Sequence, residues 1–192
     1  MQYSQAFLKA KKLYQDAIHV LLSLKPIPAK DLIDTLRDFG RFYSSKGDHV
    51  NGIKLFLDSA KLSKKYYRIP RPDILLEMST YLRQVDPSLS EDILLNALKI
   101  TKDIYGRTHL QSATMVFHLA SWTAQKAASP AELQNAEKLY DEYLSIIREV
   151  SGPKSSMYEG ALQQTANFYN KFNKGKANEL MAKATKISES KK

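Results

Sequence analysis

Four histidines are the side chains best suited to act as a general base or a metal ligand: His19, His49, His109 and His118. No two of them have the His-Glu-x-x-His spacing, and none stands beside an acidic residue in a recognisable catalytic arrangement. The chain has no cysteine, which excludes a disulfide scaffold, a thiolate zinc site and a cysteine nucleophile. The sequence also has no glycine-rich phosphate-binding loop of the Gly-x-x-x-x-Gly-Lys-Ser/Thr type and no Gly-x-Ser-x-Gly nucleophile elbow. The sequence therefore predicts a protein that is not an enzyme and uses neither a metal nor a cofactor.

A cluster of cations is the second pattern with chemical meaning. Basic residues recur at helical spacing with no acid between positions 59 and 72, and we call them the basic patch: Lys61, Lys64, Lys65, Arg68 and Arg71. Cations at the end of a helix can simply complement the helix dipole and stay solvated. Alternatively, they contact phosphate groups or an acidic segment. The sequence leaves both interpretations open.

The net charge widens the choice of partner. Lys and Arg exceed Asp and Glu by 29 − 20 = 9, which suits an acidic protein, nucleic acid or a membrane surface. Charged residues interrupt every apolar run before the ~20 residues that span a bilayer, so no membrane insertion is expected. We expect a cytoplasmic protein; a mitochondrial location is the alternative, because Lys9, Lys11 and Lys12 precede the first acid, Asp16.

An internal repeat predicts the elements that position these residues. A small residue is followed by a large apolar one at +4, usually a small one at +7 and an aliphatic one at +10, a spacing that lies along one face of an α-helix. The clearest copy is Gly52, Phe56, Ser59 and Leu62. The other copies are Ala10, Tyr14, Ala17 and Val20; Ser90, Leu94, Ala97 and Ile100; Ala136, Tyr140, Tyr143 and Ile146; and Ala177, Met181, Ala184 and Ile187. We expect these faces to pack between helices.

Between consecutive copies lies a second helical segment, which makes nine helices and no strand. All seven prolines fall at proposed helix boundaries. Capping patterns begin at Ser88, Ser129 and Ser156, and glycines suited to turns are Gly47, Gly106, Gly152 and Gly175. We expect one domain over residues 1–190, with helices at about 3–24, 30–45, 49–66, 72–85, 89–105, 109–127, 130–149, 156–171 and 174–188.

One helix pair, residues 33–62, carries a recognisable set of residues. They are Leu36, Phe39, Gly40 and Tyr43 on the first helix, Gly47-Asp48 at the turn, and Gly52, Phe56 and Ser59 on the second. This set resembles the tetratricopeptide repeat (TPR), and the long period is similar to the kinesin light chain variety of about 42 residues. Gly52 and Ser90 depart from it, since alanine is usual there. The resemblance implies an all-α fold, a right-handed superhelical stack of antiparallel helix pairs, or α-solenoid, with about nine helices.

The resemblance also implies a binding surface, because the first helices of TPR pairs line a concave groove that holds a peptide. Matched repeat positions predict eight groove residues: Arg37, Arg41, Ser79, Arg83, Phe117, Ser121, Gln163 and Asn167. The arginines suggest a ligand with acidic groups, because guanidinium pairs bidentately with carboxylate. For each residue the alternative is a solvated helix face.

We therefore expect a non-catalytic adaptor or scaffold subunit whose partner is another protein, either an acidic peptide segment or a subunit of a complex. The alternative is an RNA-contacting helical-repeat protein. This alternative is less favoured, because the basic residues do not recur at one repeat position. The sequence leaves the partner's identity and the oligomeric state open.

Overall fold

The computed structural model describes residues 4–190, which form nine α-helices and no strand. The helices are α1 (Gln5–Ser23), α2 (Ala29–Ser45), α3 (His49–Tyr67), α4 (Pro72–Leu82), α5 (Pro87–Tyr105), α6 (Leu110–Lys126), α7 (Pro130–Ser151), α8 (Ser156–Tyr169) and α9 (Lys174–Glu189). The prediction of an all-α fold is confirmed. The predicted start of the first helix, at residue 3, lies outside the described residues.

The chain divides into two compact units, Met1–Ala97 and Leu98–Lys192, and the division falls inside α5. In the first unit α2 packs against α1 and α3, and α3 packs against α4. In the second unit α6 packs against α7, and α8 packs against α7 and α9. Short loops join these helices, so neighbours in the chain run antiparallel. A single domain over residues 1–190 stays a prediction.

Two glycines let α2 and α3 approach each other closely. A Cβ atom on Gly52 would lie 2.0 Å from Ser44 Oγ and 2.8 Å from the carbonyl oxygen of Gly40. A Cβ atom on Gly40 would lie 3.0 Å from the carbonyl oxygen of Gly52. Real side chains do not sit at the shorter of these distances without moving a neighbour. The first repeat therefore needs glycine at a position where alanine is usual.

The small positions of the repeat also bond across the helix pairs. Ser59 Oγ of α3 donates to the carbonyl of Ile33 in α2 at 2.8 Å, and Ser90 Oγ of α5 donates to the carbonyl of Ser79 in α4 at 2.7 Å. The large positions Phe56, Leu94 and Tyr140 are 0%, 1% and 4% exposed. The predicted packing face is thus confirmed in α3, α5 and α7.

In α9 the prediction is wrong for one residue of the packing face. Met181 is 41% exposed, whereas Ala177, Ala184 and Ile187 are buried as predicted. Leu180, one residue earlier, is buried in its place. Successive residues of a helix differ by a rotation of about 100°. In α9 the large buried side chain therefore comes one residue earlier than predicted, whereas the small buried residues stand at the predicted positions.

In α1 the predicted face is wrong at two of four positions, because Ala17 is exposed and Val20 is 56% exposed. The helix packs instead through Phe7, Tyr14 and Ile18 against an aromatic cluster on α2. The Phe7 ring stacks on Phe42 with 4.9 Å between centroids, and the Tyr14 ring stacks on Phe39 at 4.8 Å. Stacked aromatic pairs of this kind add to the free energy of apolar burial, which anchors α1 by this face.

Two helix starts are capped by residues other than those predicted. Pro87 is the first residue of α5, and Asp86 rather than Ser88 caps it, its Oδ1 accepting from the Leu89 amide at 3.0 Å. Ser155 rather than Ser156 caps α8, accepting from the Tyr158 amide at 3.0 Å. In both cases the true cap is a neighbouring Asp or Ser of equal capping strength. Ser129 caps α7 as predicted.

Turns between helices also differ in detail from the prediction. The helix α4 ends at Leu82 rather than 85, because the amides of Val85 and Asp86 both donate back to the Leu82 carbonyl, at 2.8 and 2.7 Å. Positive φ angles occur at Gly47, Gly106 and Gly152, as turns require. Gly175, predicted to lie in a turn, belongs to α9.

We expect Gly52→Ala to lower the free energy of unfolding by about 1–3 kcal/mol, because the added methyl must displace Ser44 and the backbone of Gly40. Gly160→Ala is the matched control, since a Cβ atom there, in α8, meets no atom within 4 Å. It should be neutral or stabilise by up to about 1 kcal/mol, the helix-propensity gain of alanine over glycine. Urea unfolding followed by circular dichroism measures both, and equal effects would contradict the close approach.

Candidate functional site

Ion pairs join the first helices α2 and α4 in the first unit. Arg37 Nη1 lies 2.7 Å from Asp73 Oδ2, and Arg41 Nε lies 2.7 Å from Glu77 Oε2, with a second Arg41–Glu77 bond beside it. Arg41 also donates to Asp38 at 3.0 Å. Two predicted groove residues therefore already pair with carboxylates of this chain. That they receive acidic groups of a ligand stays a prediction, and such groups would compete with Asp73 and Glu77.

Arg71, a member of the basic patch, also belongs to this ion-pair network. Its Nη1 lies 2.6 Å from Asp34, and its Nη2 and Nε lie 2.7 and 3.1 Å from the two carboxylate oxygens of Asp73. Hydrogen bonding to Asp73 raises the pKa of Arg71, although burial acts in the opposite direction. Burial by itself would raise the pKa of Asp73, but the hydrogen bond and charge of Arg71 lower it below its usual value.

The other two predicted groove residues of this unit lie in different surroundings. Ser79 is 1% exposed, its Oγ donates to the Leu76 carbonyl at 2.8 Å, and its own carbonyl accepts from Ser90. Its side chain is therefore part of the helix packing and offers no surface to a ligand. Arg83 is partly buried, and this burial lowers its pKa.

The remaining basic patch residues are solvent-exposed at the end of α3. Lys61, Lys64, Lys65 and Arg68 form no ion pair with any carboxylate between residues 4 and 190. Arg68 closes α3 with a positive φ of 68°. The apolar and aromatic side chains beside them are also exposed, Tyr66 by 38%, Tyr67 by 48% and Ile69 by 42%.

The second unit holds a concave pocket of about 400 Å³ between α6, α7 and α8. Three predicted groove residues meet there, namely Phe117, Ser121 and Asn167. Gln163 does not line the pocket, and its neighbour Gln164 does. The other lining residues are Ala124, Gln125, Tyr140, Phe168, Lys171 and Phe172.

Four aromatic rings contribute to the pocket wall, those of Phe117, Tyr140, Phe168 and Phe172. Tyr140 stacks on Phe168 with 4.5 Å between ring centroids, and Phe117 meets Tyr140 edge-on at 6.0 Å. Burial raises the pKa of the Tyr140 hydroxyl, while a hydrogen bond with Ser121 acts the other way. Phe172 stands at the rim, 50% exposed. Among the described lining residues Lys171 carries the only charge, and the other polar ones are Ser121, Gln125, Gln164 and Asn167.

A second hollow of about 370 Å³ lies next to the pocket and shares Phe117 and Gln164 with it. Tyr143 donates its hydroxyl proton to Gln164 Oε1 at 2.9 Å, which fixes the side chain between the two hollows. The remaining lining residues are Leu110, Thr114, Ile147 and Met157. The two hollows therefore lie side by side along α6 and α8.

A concave wall that combines aromatic rings with polar groups is typical of a ligand site. Within the described chain, no three metal-ligating side chains come together. None of the helices between residues 4 and 190 is long and apolar enough to cross a membrane.

Helix pairs stacked in this way define a TPR-like α-solenoid, a fold generally used to bind other proteins and generally without enzymatic activity. No protein-family model and no curated protein matches the sequence. The chain is instead similar to proteins of solved structure.

The chain is similar to BtubC (BKLC) from P. vanneervenii, with a TM-score of 0.73 and 17% identity over 97% of this chain and 75% of that one. It is also similar to a Podosopora anserina protein with nearly identical TPR-like repeats of the kinesin light chain type. Two structures of that protein align with TM-scores of 0.72 and 0.65, at 13% and 14% identity, over 96% and 95% of this chain and 88% and 90% of theirs. The predicted resemblance to TPR-like repeats of the kinesin light chain variety is confirmed for the fold.

The sequence-based prediction missed the carboxylates Asp73 and Glu77 and several pocket residues, Gln164 among them. A signal for the carboxylates exists, because Arg37–Asp73 and Arg41–Glu77 are each separated by 36 residues, close to one repeat period. Opposite charges one period apart on successive first helices would have indicated them. Gln164 has no such signal, since only the rotation of α8 separates it from Gln163.

The lowered pKa of Asp73 predicts how stability depends on pH. A carboxyl whose folded pKa is depressed stabilises the fold above its unfolded pKa of about 3.9, and this stability is lost as the pH falls through the folded pKa. Arg71→Met should therefore lower the free energy of unfolding by about 1 kcal/mol at pH 7 and by clearly less near pH 2. The value at pH 7 allows for the partial exposure of the pair to solvent.

Lys183→Met removes an exposed pair with Glu179 and serves as the control, with a smaller effect on the free energy of unfolding expected because solvent screens an exposed pair. Thermal unfolding of both variants at the two pH values measures these differences. A deficit for Arg71→Met that is the same at both pH values would show that packing, not the ion pair, is responsible.

Proposed function

We propose that this chain is a non-catalytic adaptor or scaffold subunit that binds a partner protein through the inner surface of its first helices, at the pocket between α6 and α8. The observation that carries the proposal is the convergence of Phe117, Ser121 and Asn167. These three residues match groove positions of the repeat, and they line one pocket.

The chemistry of the pocket favours a partner segment that inserts an apolar side chain. Phe117, Tyr140 and Phe168 supply aromatic surface, and buried aromatic contacts dominate the energy of many interfaces. Asn167 and Gln125 stand at the polar edge, where they can bond to a peptide backbone. Lys171 suits a carboxylate on the same segment, which agrees with the acidic peptide expected from the sequence.

We expect Asn167→Arg to abolish partner capture, because a long cation at the pocket edge blocks entry of an apolar side chain. Gln163→Arg is the matched control, since it adds the same cation to an exposed position of the same helix outside the pocket. The measurement is selection of a random-peptide display library on each purified protein, followed by capture from native extract and mass spectrometry.

The wild type and Gln163→Arg should enrich the same peptides and proteins, and Asn167→Arg should lose them by about tenfold or more, the effect of removing about 1.4 kcal/mol. If all three proteins capture the same set, the pocket is not the binding surface. If Gln163→Arg alone loses the partner, the partner binds the surface around Gln163 and not the pocket.

A second candidate, contact with RNA, is favoured by the basic patch. Lys61, Lys64, Lys65 and Arg68 are exposed without carboxylate partners among the described residues, and Tyr66 and Tyr67 beside them offer surfaces for base stacking. Binding of this kind releases counterions, so its affinity falls steeply with salt.

Replacement of these four cations by Gln should weaken binding of a single-stranded RNA oligonucleotide and reduce the slope of log affinity against log salt by about 3, at roughly 0.7 for each phosphate that is no longer neutralised. Neutralising the exposed Lys138, Lys154, Lys174 and Lys186 is the control of equal charge. Fluorescence anisotropy measures both. An equal reduction of the salt slope for the two variants would indicate that RNA is attracted by the net charge alone and does not bind at the basic patch.

A further inference from the structure

The pocket and the second hollow lie one after the other along α6 and α8. Phe117 and Gln164 line both of them. Towards the N-terminus of α6 the second hollow is lined by Leu110 and Thr114, and towards the C-terminus the pocket is lined by Ser121. A bound segment that follows the two helices therefore meets two openings of similar volume in succession.

The distance between the two openings follows from the positions of their lining residues. On α6 the second hollow is centred on Thr114 and the pocket on Ser121, seven residues or ~10.5 Å further on. On α7, which runs in the opposite direction, Tyr140 lines the pocket, and Tyr143 and Ile147 line the second hollow, about five residues or ~7.5 Å away. A segment that fills both openings must therefore carry two side chains on one face, ~8–10 Å apart.

This distance restricts the backbone conformation of the bound segment. In a β-strand, side chains on one face are ~6.6 Å apart at two residues and ~13 Å apart at four. In a polyproline II (PPII) helix, which has three residues per turn, side chains three residues apart share one face at ~9.3 Å. An α-helix reaches ~10.5 Å at seven residues. Only the PPII helix and the α-helix thus match the two openings.

The amide of Gln164 favours the PPII helix over the α-helix. Tyr143 donates to its Oε1 at 2.9 Å, and its NH₂ group donates to no acceptor among residues 4–190. An α-helix across both openings would cover this donor with an apolar turn, because its backbone carbonyls are already bonded within the helix. A PPII helix has no internal hydrogen bonds, so one of its carbonyls can accept from Gln164.

The charge at one end adds a further feature of the segment. Lys171 is exposed, and it lines the pocket but not the second hollow. It forms no ion pair with any carboxylate between residues 4 and 190. An acidic side chain next to the apolar one that fills the pocket would complement this charge.

We propose that the partner segment is a PPII helix with two apolar side chains three residues apart and an acidic residue next to the one in the pocket. The other apolar side chain fills the second hollow, and a backbone carbonyl between them accepts from Gln164. Proline-rich segments suit this site, because they adopt the PPII conformation before binding and dock in aromatic-lined grooves. The inference rests on the proposed function, since it uses the same pocket.

Fluorescence anisotropy with labelled polyproline peptides tests the spacing on the whole chain. Each peptide carries two leucines, separated by two, three or four positions, and an aspartate beyond each leucine, so that either chain direction presents an acid to Lys171. The peptide with a separation of three should bind about tenfold or more tightly than the other two, because it alone buries both leucines. Asn167→Arg should abolish this binding, and Gln163→Arg should leave it unchanged.

Gln164→Met tests the contact with the peptide backbone. Methionine has a similar length but no NH₂ donor, so the affinity for the best peptide should fall about fivefold, the effect of one hydrogen bond. Gln163→Met is the matched control, because it makes the same change at an exposed position of α8 outside both openings. Circular dichroism verifies that both variants keep their helices. An alanine-rich helical peptide with leucines seven residues apart should bind the wild type more weakly than the best polyproline peptide.

Lys171→Gln tests the acidic position. Replacing the aspartates of the best peptide by asparagine should weaken its binding to the wild type about two- to fivefold, the range of an exposed ion pair. The same replacement should have little effect on binding to Lys171→Gln. An equal loss for the two proteins would contradict the contact between the acid and Lys171.

The outcomes separate this inference from the proposed function. PPII recognition is overturned, while the pocket remains the binding surface, if Asn167→Arg abolishes binding but all three separations bind equally, Gln164→Met binds like the wild type, or the helical peptide binds more tightly. It is also overturned if no polyproline peptide binds at up to about 1 mM, and the random-peptide selection then decides on the proposed function by itself. Equal binding of the peptides to the wild type and Asn167→Arg would overturn both.

Discussion

Close approach of two helices at small side chains is the constraint on which this structure depends. Gly40 and Gly52 leave no room for a methyl group between α2 and α3. In the other pairs the corresponding residues, Ser90, Ala136 and Ala177, are almost completely buried, at 1%, 0% and 0% exposure. When two backbones lie this close, the large residues four positions further on are buried as well in α3, α5 and α7, and only Met181 of α9 departs from this.

The elements were predictable from the sequence because helical spacing, prolines and capping residues all indicate the same boundaries. Contacts that depend on helix rotation were harder to predict. Gln163 and Gln164 differ by one residue, or about 100° around α8, and only Gln164 lines the pocket. Repeat position could place Ser79 on a first helix, but it could not reveal that the Ser90 hydroxyl bonds to its carbonyl. The face of α1 depends on which neighbouring helices exist, which periodicity does not encode.

The inner surfaces of the two units differ in chemistry, although the same repeat builds both. In the first unit Arg37, Arg41 and Arg71 neutralise Asp73, Glu77 and Asp34, so the charges of α2 and α4 are largely satisfied within the chain. In the second unit the equivalent helices carry few charges, and aromatic rings line the hollow between them. A partner that meets the first surface must exchange one ion pair for another, whereas at the second it buries apolar surface that water would otherwise cover.

The hydroxyl groups of Ser59 and Ser90 have an effect separate from close packing. Each donates to one carbonyl on the preceding helix, and that bond breaks if either helix slides by a single residue, a shift of about 1.5 Å. Methyl groups at the same positions would keep the helices equally close but would tolerate such sliding. Serine therefore defines the axial alignment of these two helix pairs, α2 with α3 and α4 with α5.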